Sequence, residues 1–288
     1  MQREAGVPGS FADRAGSAIR DHMREQHRLF FPQLPFAVLG AVDPDGAAWA
    51  TIQTGAPGFL SSPDEHTLHI DCVRDPADPA DRGMDQGDAV GLLGIEFTTR
   101  RRNRLNGILR RASSQGYDIA VEQSFGNCAR FIWPRRHAFA RSSGTPSSPD
   151  SRRLDRLDTR ALSLIIGAST FFVASYTDLE NGRRQVDVSH RGGPAGFVAV
   201  SPCGELVIPD YPGNNYFNTL GNLRLNGRVG LLFVDFHTGD LLQLSGAATI
   251  KINEKAGGHA LDTGRCWTVS PERIVSRHDA LPLRWTDA

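Results

Sequence analysis

The chain has 288 residues, of which 40% are hydrophobic and 22% charged, a composition typical of a globular protein with a buried core. Its 32 basic residues balance 32 acidic ones, which argues against a general binder of nucleic acid or of acidic membranes. No apolar run approaches the roughly 20 residues that a membrane-spanning helix needs, and the charged N-terminus does not resemble a signal peptide.

The cysteines point to the cellular compartment. Four are spread through the chain without a Cys-x-x-Cys pair, at Cys72, Cys128, Cys203 and Cys266. This spacing favours free thiols over a disulfide framework or a zinc site, and free thiols are typical of a reducing compartment. We therefore expect a cytoplasmic protein without a metal centre.

In chain order, the sequence predicts two helices, each followed by a series of short strands. Residues 10–30 begin with a candidate Ser cap and carry mixed charge, which predicts a surface helix. Residues 152–167 look like its counterpart, and the Ser- and Pro-rich stretch 141–151 predicts a linker. After each helix come apolar runs with partial alternation, and the turns PDG (44–46) and ENG (180–182) predict hairpins.

The chain also repeats itself. The segment beginning GDAVGLLGIEF at residue 87 matches NGRVGLLFVDF at residue 226, and residues 55–70 match residues 193–208. A third pair, residues 36–46 and 171–182, lies in the same order at a nearly constant offset. Three collinear matches indicate two copies of one domain.

The fold class follows from these strands. Short antiparallel strands at this spacing predict a mainly β fold, a β-barrel with few helices, in each copy. We expect an N-terminal copy over residues 1–140, a linker at 141–151 and a C-terminal copy over 152–288. The two barrels themselves are expected over residues 30–140 and 165–252.

The motifs of the second copy resemble a known family. The pattern DVSHRGGPAGFV (187–198), the segment PDYPGNNYFNTLGN (209–222) and RVGLLF (228–233) are similar to the pyridoxamine 5'-phosphate oxidase-like superfamily. FGNCARFI (125–132) also looks like a family block, and ALPLRW (280–285) is similar to the end of such domains in fusions with reductase modules. The resemblance implies FMN-binding split barrels that pair with FMN in the groove between them. Here the tandem repeat would form a pseudo-dimer from one chain.

The residue types of these segments suit a flavin phosphate. Arginine and backbone amides in glycine-rich turns bind phosphate, asparagine and threonine can bond ribityl hydroxyls, and aromatic rings can pack beside a flavin. The predicted cofactor-binding residues are Ser189, His190, Arg191, Gly192, Asp210, Tyr211, Asn214, Asn215, Phe217, Asn218, Thr219 and Asn222. The equivalent stretch of copy one, residues 71–88, carries six aspartates against Arg74 and Arg82, so its phosphate site is expected to be lost.

Other candidate sites are weaker. Ser189 and His190 are adjacent strand residues that point to opposite faces, which disfavours a nucleophile–base pair. His66 and His69 lack further ligands nearby, which disfavours a metal site. The run RRRNR (100–104) is expected to be a solvated hairpin tip, with contact to an anionic cofactor as the lesser alternative. No residue is assigned a catalytic acid or base.

The expected function is an FMN-dependent oxidoreductase of unknown substrate, because the flavin carries the electrons and the protein positions it. NAD(P)H or a separate reductase would supply electrons, and pairing of two tandem chains into a homodimer stays open. A non-catalytic flavin-binding or storage protein is the main alternative. Others are a barrel retained for protein interaction and a split barrel that uses haem or deazaflavin. Oxidation of pyridoxamine phosphate itself is disfavoured, since the match is to the broader group.

Overall fold

The computed structural model describes residues 1–2, 5–8, 16–110, 116–143, 150–252 and 263–288. Two antiparallel sheets dominate it. The first sheet holds seven strands in the order β2-β1-β5-β6-β7-β4-β3. Its strands are β1 (Phe36–Val42), β2 (Ala48–Thr54), β3 (Leu60–Asp64), β4 (Thr67–Ile70), β5 (Ala89–Glu96), β6 (Arg101–Arg110) and β7 (Tyr117–Gly126).

The second sheet repeats this arrangement. Its path runs β11-β10-β14-β15-β16-β13-β12, and β9 (Ser151–Leu154) pairs with β16 beside that path. The strands are β10 (Thr170–Asp178), β11 (Arg184–Gly192), β12 (Ala199–Val200), β13 (Leu206–Pro209), β14 (Arg228–Val234), β15 (Leu241–Ile252) and β16 (Arg265–Arg277). Strands β10 to β16 correspond in order to β1 to β7, and the two sheets then have the same strand order. This agreement confirms the predicted repeat. The second sheet extends beyond residue 252, because β16 lies past the expected end of the barrel.

Equivalent glycines show how closely the copies agree. Gly107 in β6 and Gly246 in β15 both lie where the register with the next strand shifts, as in a β-bulge. A Cβ atom on Gly107 would lie 2.0 Å from the carbonyl oxygen of Ala120, and one on Gly246 would lie 2.1 Å from that of Ser270. The bulge therefore requires the glycine of the Leu-x-Gly motif that the two copies share.

The two sheets pack against each other through reciprocal contacts of equivalent strands, as expected for the predicted pseudo-dimer. Gly91 of β5 lies against β11, where a Cβ atom would be 2.9 Å from the Val186 carbonyl oxygen. Gly230 of β14 lies against β2, where a Cβ atom would be 2.5 Å from the Ala48 carbonyl oxygen. One apolar cluster between the copies buries side chains from both, including Val38 and Phe172. The absence of a side chain at the two glycines lets the backbones of the copies approach.

The helices are shorter than the sequence predicts. In place of one helix over 10–30, the described part has one helical turn at 16–18 and helix α1 (Glu25–Arg28), and residues 10–15 lie outside the described residues. Arg20 instead pairs its backbone with Ser124 of β7, which ends the helical hydrogen bonding there. The predicted helix 152–167 is wrong in its first part, since β9 occupies Ser151–Leu154. Helix α2 spans Thr159–Gly167, with Asp158 as its N-cap.

Three further elements complete the chain. Helix α3 spans Asn218–Asn226 in the second copy, and a 3-10 helix spans Pro79–Gly83 in the first. Strand β8 (Arg135–Phe139) of the first copy pairs with β17 (Leu283–Asp287) at the end of the chain. Most of the predicted linker, residues 144–149, lies outside the described residues. Within the described residues, none of the helices has the length and apolar character to span a membrane.

Candidate functional site

A cleft between the two copies collects nearly all of the predicted cofactor-binding residues. Its walls from the second copy include eleven of them, namely Ser189, His190, Arg191, Gly192, Asp210, Tyr211, Asn214, Asn215, Phe217, Asn218 and Thr219. The first copy contributes Arg102, Arg104, Asn127, Cys128, Arg130 and Phe131. We call this space the cleft. Strand β11 and the 209–219 segment form one side of it, while β6 and the segment after β7 form the other.

Asn222 does not line the cleft. It lies one turn further along α3, and its Nδ2 donates to Ser175 Oγ of β10 at 3.1 Å. The helical geometry explains this outcome, because a turn of helix carries residue 222 away from the end at residue 218 that faces the cleft. Asn222 therefore joins α3 to the sheet.

The arginine run at 100–104 is not a solvated tip, and this prediction is wrong for Arg102 and Arg104. Both belong to β6 and are buried, whereas Arg100 and Arg101 are exposed. Alternate residues of a strand share a face, so Arg102, Arg104 and Asn106 point the same way, towards the second copy. In the sequence, polar residues at every second position of 102–106 could have predicted a strand with one polar face.

Contacts across the copies hold these arginines in place. Arg104 Nη1 donates to both carboxylate oxygens of Asp187, at 3.0 and 3.2 Å, and its Nη2 donates to Ser189 Oγ. Arg102 Nη1 lies 3.0 Å from His190 Nδ1, and its Nη2 donates to Cys128 Sγ at 3.7 Å. The face of β6 thus contacts the SHR segment of β11 directly.

The charges of the cleft do not balance. Asp187 pairs with Arg104, while Asp210 pairs with Arg265 at 3.0 Å and lies 3.7 Å from Arg191. Arg102 has no carboxylate among its described hydrogen-bond and ion-pair partners. Burial, aided by the charge of Arg104, lowers the pKa of Arg102 to about 10, so it stays protonated at neutral pH. An excess of buried positive charge favours an anionic ligand.

His190 acts as a neutral donor in this setting. Burial and the neighbouring Arg102 hold its pKa well below the ordinary histidine value. Because the protonated Arg102 can only donate, His190 Nδ1 accepts and the ring proton lies on Nε2. That Nε2 atom is buried and has no hydrogen-bond partner in the structure. The imidazole therefore has an N–H group available in the wall of the cleft.

Several other buried donors in the cleft walls also have no hydrogen-bond partner. They are Arg102 Nε, Arg104 Nε, Arg191 Nε and Asn127 Nδ2. The Oδ1 of Asn127 is used, since it accepts from Asn214 Nδ2 at 2.6 Å and thereby joins the copies. Buried donors are normally paired, so a group of unpaired donors of one kind indicates a missing acceptor.

The 209–219 segment is held in an unusual backbone conformation. Asn215 and Phe217 both have φ near 59°, in the left-handed region that a bulky residue such as phenylalanine rarely adopts. Arg265 lies over the Phe217 ring at 5.4 Å, and the Phe131 ring of the first copy packs at a tilt against Tyr211, with 5.4 Å between centroids. Strained backbone of this kind often occurs at ligand sites.

The glycines of the SHRGG motif serve contacts between the copies. A Cβ atom on Gly192 would lie 2.1 Å from the Phe131 carbonyl oxygen, so only glycine admits the segment after β7. Trp133 Nε1 of that segment donates to the Gly193 carbonyl at 3.0 Å. The cleft is partly open to solvent and contains a cavity of about 80 Å³ beside these residues.

The equivalent place in the first copy holds a larger cavity, of about 840 Å³, whose acidic side chains are largely paired within the protein. Asp78 accepts from Thr51, from Gln243 Nε2 at 2.9 Å and from Arg277 Nη1 at 3.0 Å. Arg74 pairs with Asp81 and Asp85. The aspartates of residues 71–88 are thus largely occupied by arginines and hydroxyls of the chain itself.

Two lesser candidates have ordinary partners. His69 Nδ1 lies 2.7 Å from an oxygen of Asp118, while His66 is exposed beside Glu65. Within the described residues, no group of three or more His, Cys, Asp or Glu side chains is arranged to hold a metal. Ser189 and His190 each face an arginine of the first copy, so their roles are set by those contacts.

No protein-family model and no curated protein matches the sequence. Solved structures do match parts of it. A protein from Clostridium acetobutylicum, described as related to general stress protein 26 and of the pyridoxinephosphate oxidase family, is 15% identical with a TM-score of 0.29. It covers 44% of this chain and 92% of its own. The structural neighbours include pyridoxamine 5'-phosphate oxidase-like proteins.

Two other neighbours align over a similar share. A FAD-binding protein from Mesorhizobium loti is 14% identical, with a TM-score of 0.30, and covers 44% of this chain and 97% of its own. The protein HupZ from Group A Streptococcus is 17% identical, with a TM-score of 0.30, and covers 41% of this chain and 91% of its own. The tandem organisation itself is established by the identical strand order of the two sheets.

Proposed function

We propose that the chain binds one FMN in the cleft and uses it as an oxidoreductase. The observation that carries the proposal is the group of buried, unpaired donors around the uncompensated Arg102 in the wall of the cleft. A phosphate dianion would supply the missing acceptors and the missing negative charge together. Both copies contribute donors, so the site requires the pseudo-dimer.

The donor set suggests which residues would contact each part of FMN. Arg191 and Arg102 would neutralise the phosphate, and the neutral His190 would donate its Nε2–H group without adding charge. Asn214, Asn215 and Thr219 carry amides and a hydroxyl that suit the ribityl chain, and the aromatic residues suit the ring. When bound, the flavin supplies the electron transfer, and the residues of the chain position it and limit solvent access.

We infer that the first copy has lost its own phosphate site. Its aspartates would repel a phosphate, and Arg74 and Arg277 are already held by carboxylates. The stoichiometry expected is therefore one flavin per chain. The electron donor of the bound flavin is a reduced nicotinamide or a separate reductase, and the substrate of the protein is a small molecule.

Titration of the purified chain with FMN, FAD and riboflavin tests the proposal. Quenching of flavin fluorescence should saturate at one FMN per chain, and riboflavin should bind at least about tenfold more weakly because it lacks the phosphate. Arg191→Ala should weaken FMN binding by about 10- to 100-fold, while the matched change Arg74→Ala in the first copy should leave it nearly unchanged. Equal binding of riboflavin and FMN would contradict a phosphate site, and equal losses from both variants would indicate two sites.

Anaerobic reduction separates an enzyme from a flavin carrier. Rapid bleaching of the bound flavin by NADH or NADPH would support an oxidoreductase. Reduction by dithionite alone would instead favour the storage function or dependence on a separate reductase. Adding a flavin reductase to the same sample distinguishes these two outcomes.

A further inference from the structure

A second cavity lies apart from the residues that line the cleft. It has a volume of about 370 Å³ and is bounded by β8, β10, β17, helix α2 and the turn after β14. Three of its wall residues, Arg135, Thr170 and Trp285, come from three different strands. We call this space the Arg135 cavity. The proposed flavin site uses none of these three residues.

Arg135 stands out when the buried arginines are compared. Within the described residues, the buried arginines are Arg102, Arg104, Arg135 and Arg277. Asp187 pairs with Arg104, and Asp75 and Asp78 pair with Arg277. Arg102 belongs to the cleft described above. Among the described residues, Arg135 is therefore the buried arginine outside that cleft that has no carboxylate at hydrogen-bonding distance.

The contacts of Arg135 leave its charge largely uncompensated. Its Nη2 donates to Ser169 Oγ at 2.8 Å, and its guanidinium lies 4.3 Å from the centre of the Phe236 ring. The nearest carboxylate, Asp287, is 3.9 Å from Nε on a side chain that is 89% exposed. The Nη1 atom is buried and has no hydrogen-bond partner. A guanidinium buried in this way calls for an acceptor.

Two further donors on residues of the cavity wall also lack a hydrogen-bond partner. Thr170 Oγ1 and Trp285 Nε1 are buried and have no partner in the structure, and both residues are only 1% exposed. The second arginine of the wall, Arg160, is already paired with Asp240. The side chain of Asp235 accepts from the amides of its own turn. The atoms left without a hydrogen-bond partner are thus Arg135 Nη1 and two neutral donors.

We propose that the Arg135 cavity binds a small carboxylate. The free Nη1 donor of the buried guanidinium suits an anionic acceptor, and a planar guanidinium matches a planar carboxylate in geometry. A phosphate dianion would lack its second cation there, because Asp240 holds Arg160. The rest of the wall includes Leu164, Phe236 and Leu242, so the ligand carries a short apolar group beside its carboxylate.

The test follows the indole N–H resonances of the full chain by NMR during titration with acetate and propionate. Chloride and inorganic phosphate at equal ionic strength are the comparison anions. The Trp285 resonance, identified from Trp285→Phe, should shift with saturation on adding carboxylate. The Trp133 resonance should stay constant, because that indole already donates to Gly193. Arg135→Gln should weaken binding at least about tenfold, and the isosteric Thr170→Val at least about threefold.

Arg101→Gln, at an exposed arginine outside both sites, serves as the matched control and should leave carboxylate binding unchanged. If Arg135→Gln does not fold, the Thr170→Val variant decides the result, since valine preserves the shape of the strand residue. The absence of a saturable Trp285 shift would overturn the proposal. A shift with phosphate alone would overturn the carboxylate assignment, and unchanged binding in Thr170→Val and in folded Arg135→Gln would place the anion elsewhere.

Discussion

Arg104 of the first copy and Asp187 of the second form a buried ion pair, with 3.0 Å between Nη1 and Oδ2. Their side chains are 8% and 6% exposed. The same guanidinium donates to Ser189, so one arginine joins two residues of β11 to the first copy. This pair fixes the relative position of β6 and β11, the two strands that contribute the arginine-rich walls of the cleft.

Removing one member of this pair should be more harmful than removing both. Asp187→Asn should lower the free energy of unfolding by about 3–5 kcal/mol, because it leaves the Arg104 charge buried without a counter-charge. The double variant Asp187→Asn, Arg104→Met should recover a substantial part of that loss. Urea denaturation of the two single variants and the double variant measures the coupling. A double variant less stable than Asp187→Asn would contradict this account.

Arg102→Gln should weaken FMN binding by about 10- to 100-fold, since it removes the buried arginine of the cleft that no carboxylate compensates. Fluorescence quenching of FMN measures the effect. The neighbouring variant Arg101→Gln is the control, because Arg101 is exposed and its guanidinium lies over Phe30 instead. If both variants bound FMN as tightly as the original chain, the first copy would not contribute to the phosphate site.

Gly230→Ala should destabilise the chain by about 1–3 kcal/mol, because its Cβ would lie 2.5 Å from a backbone oxygen of the opposite copy. Urea denaturation provides the measurement. Gly167→Ala is the matched control, since a Cβ there meets nothing within 4 Å and alanine favours the end of α2. Equal stability of the two variants would show that the copies do not pack through β14.

Lowering the pH should destabilise the chain through His27. Burial lowers the pKa of His27 from its ordinary value of 6.5 to about 4. Below pH 6.5 the unfolded chain takes up a proton that the folded chain excludes, so the free energy of unfolding falls as the pH falls towards 4. The loss contributed by this histidine approaches about 1.4 kcal/mol per pH unit, and His190 acts in the same direction.

His27→Gln should flatten this dependence, because glutamine can keep the hydrogen bond that His27 makes with Ser124 but does not titrate there. Denaturant titrations at about pH 7, 6 and 5 measure the slope. Gly167→Ala, which leaves every histidine in place, provides the control and should keep the slope of the original chain. An unchanged slope in His27→Gln would rule out this histidine as its source.

The sequence by itself determined the repeat, the strand-rich fold and most of the residues on one wall of the cleft. These features are local, because matching blocks such as the segments after Gly87 and Asn226 carry their own pattern of apolar residues, glycines and turns. Equivalent patterns form equivalent strands, and the order of strands in both sheets agrees. The 209–219 segment was also recognisable because its turn-forming residues follow one another along the chain.

The tertiary structure alone decided what faces that segment. Arg102 and Arg104 lie more than 80 residues from their partners His190 and Ser189, and they meet them only because β6 packs across β11. It also decided that β9 replaces the start of a helix, since β16 offers an edge with which to pair. Contacts between the copies depend on how two finished sheets dock, and local sequence patterns describe each sheet without describing its orientation against the other.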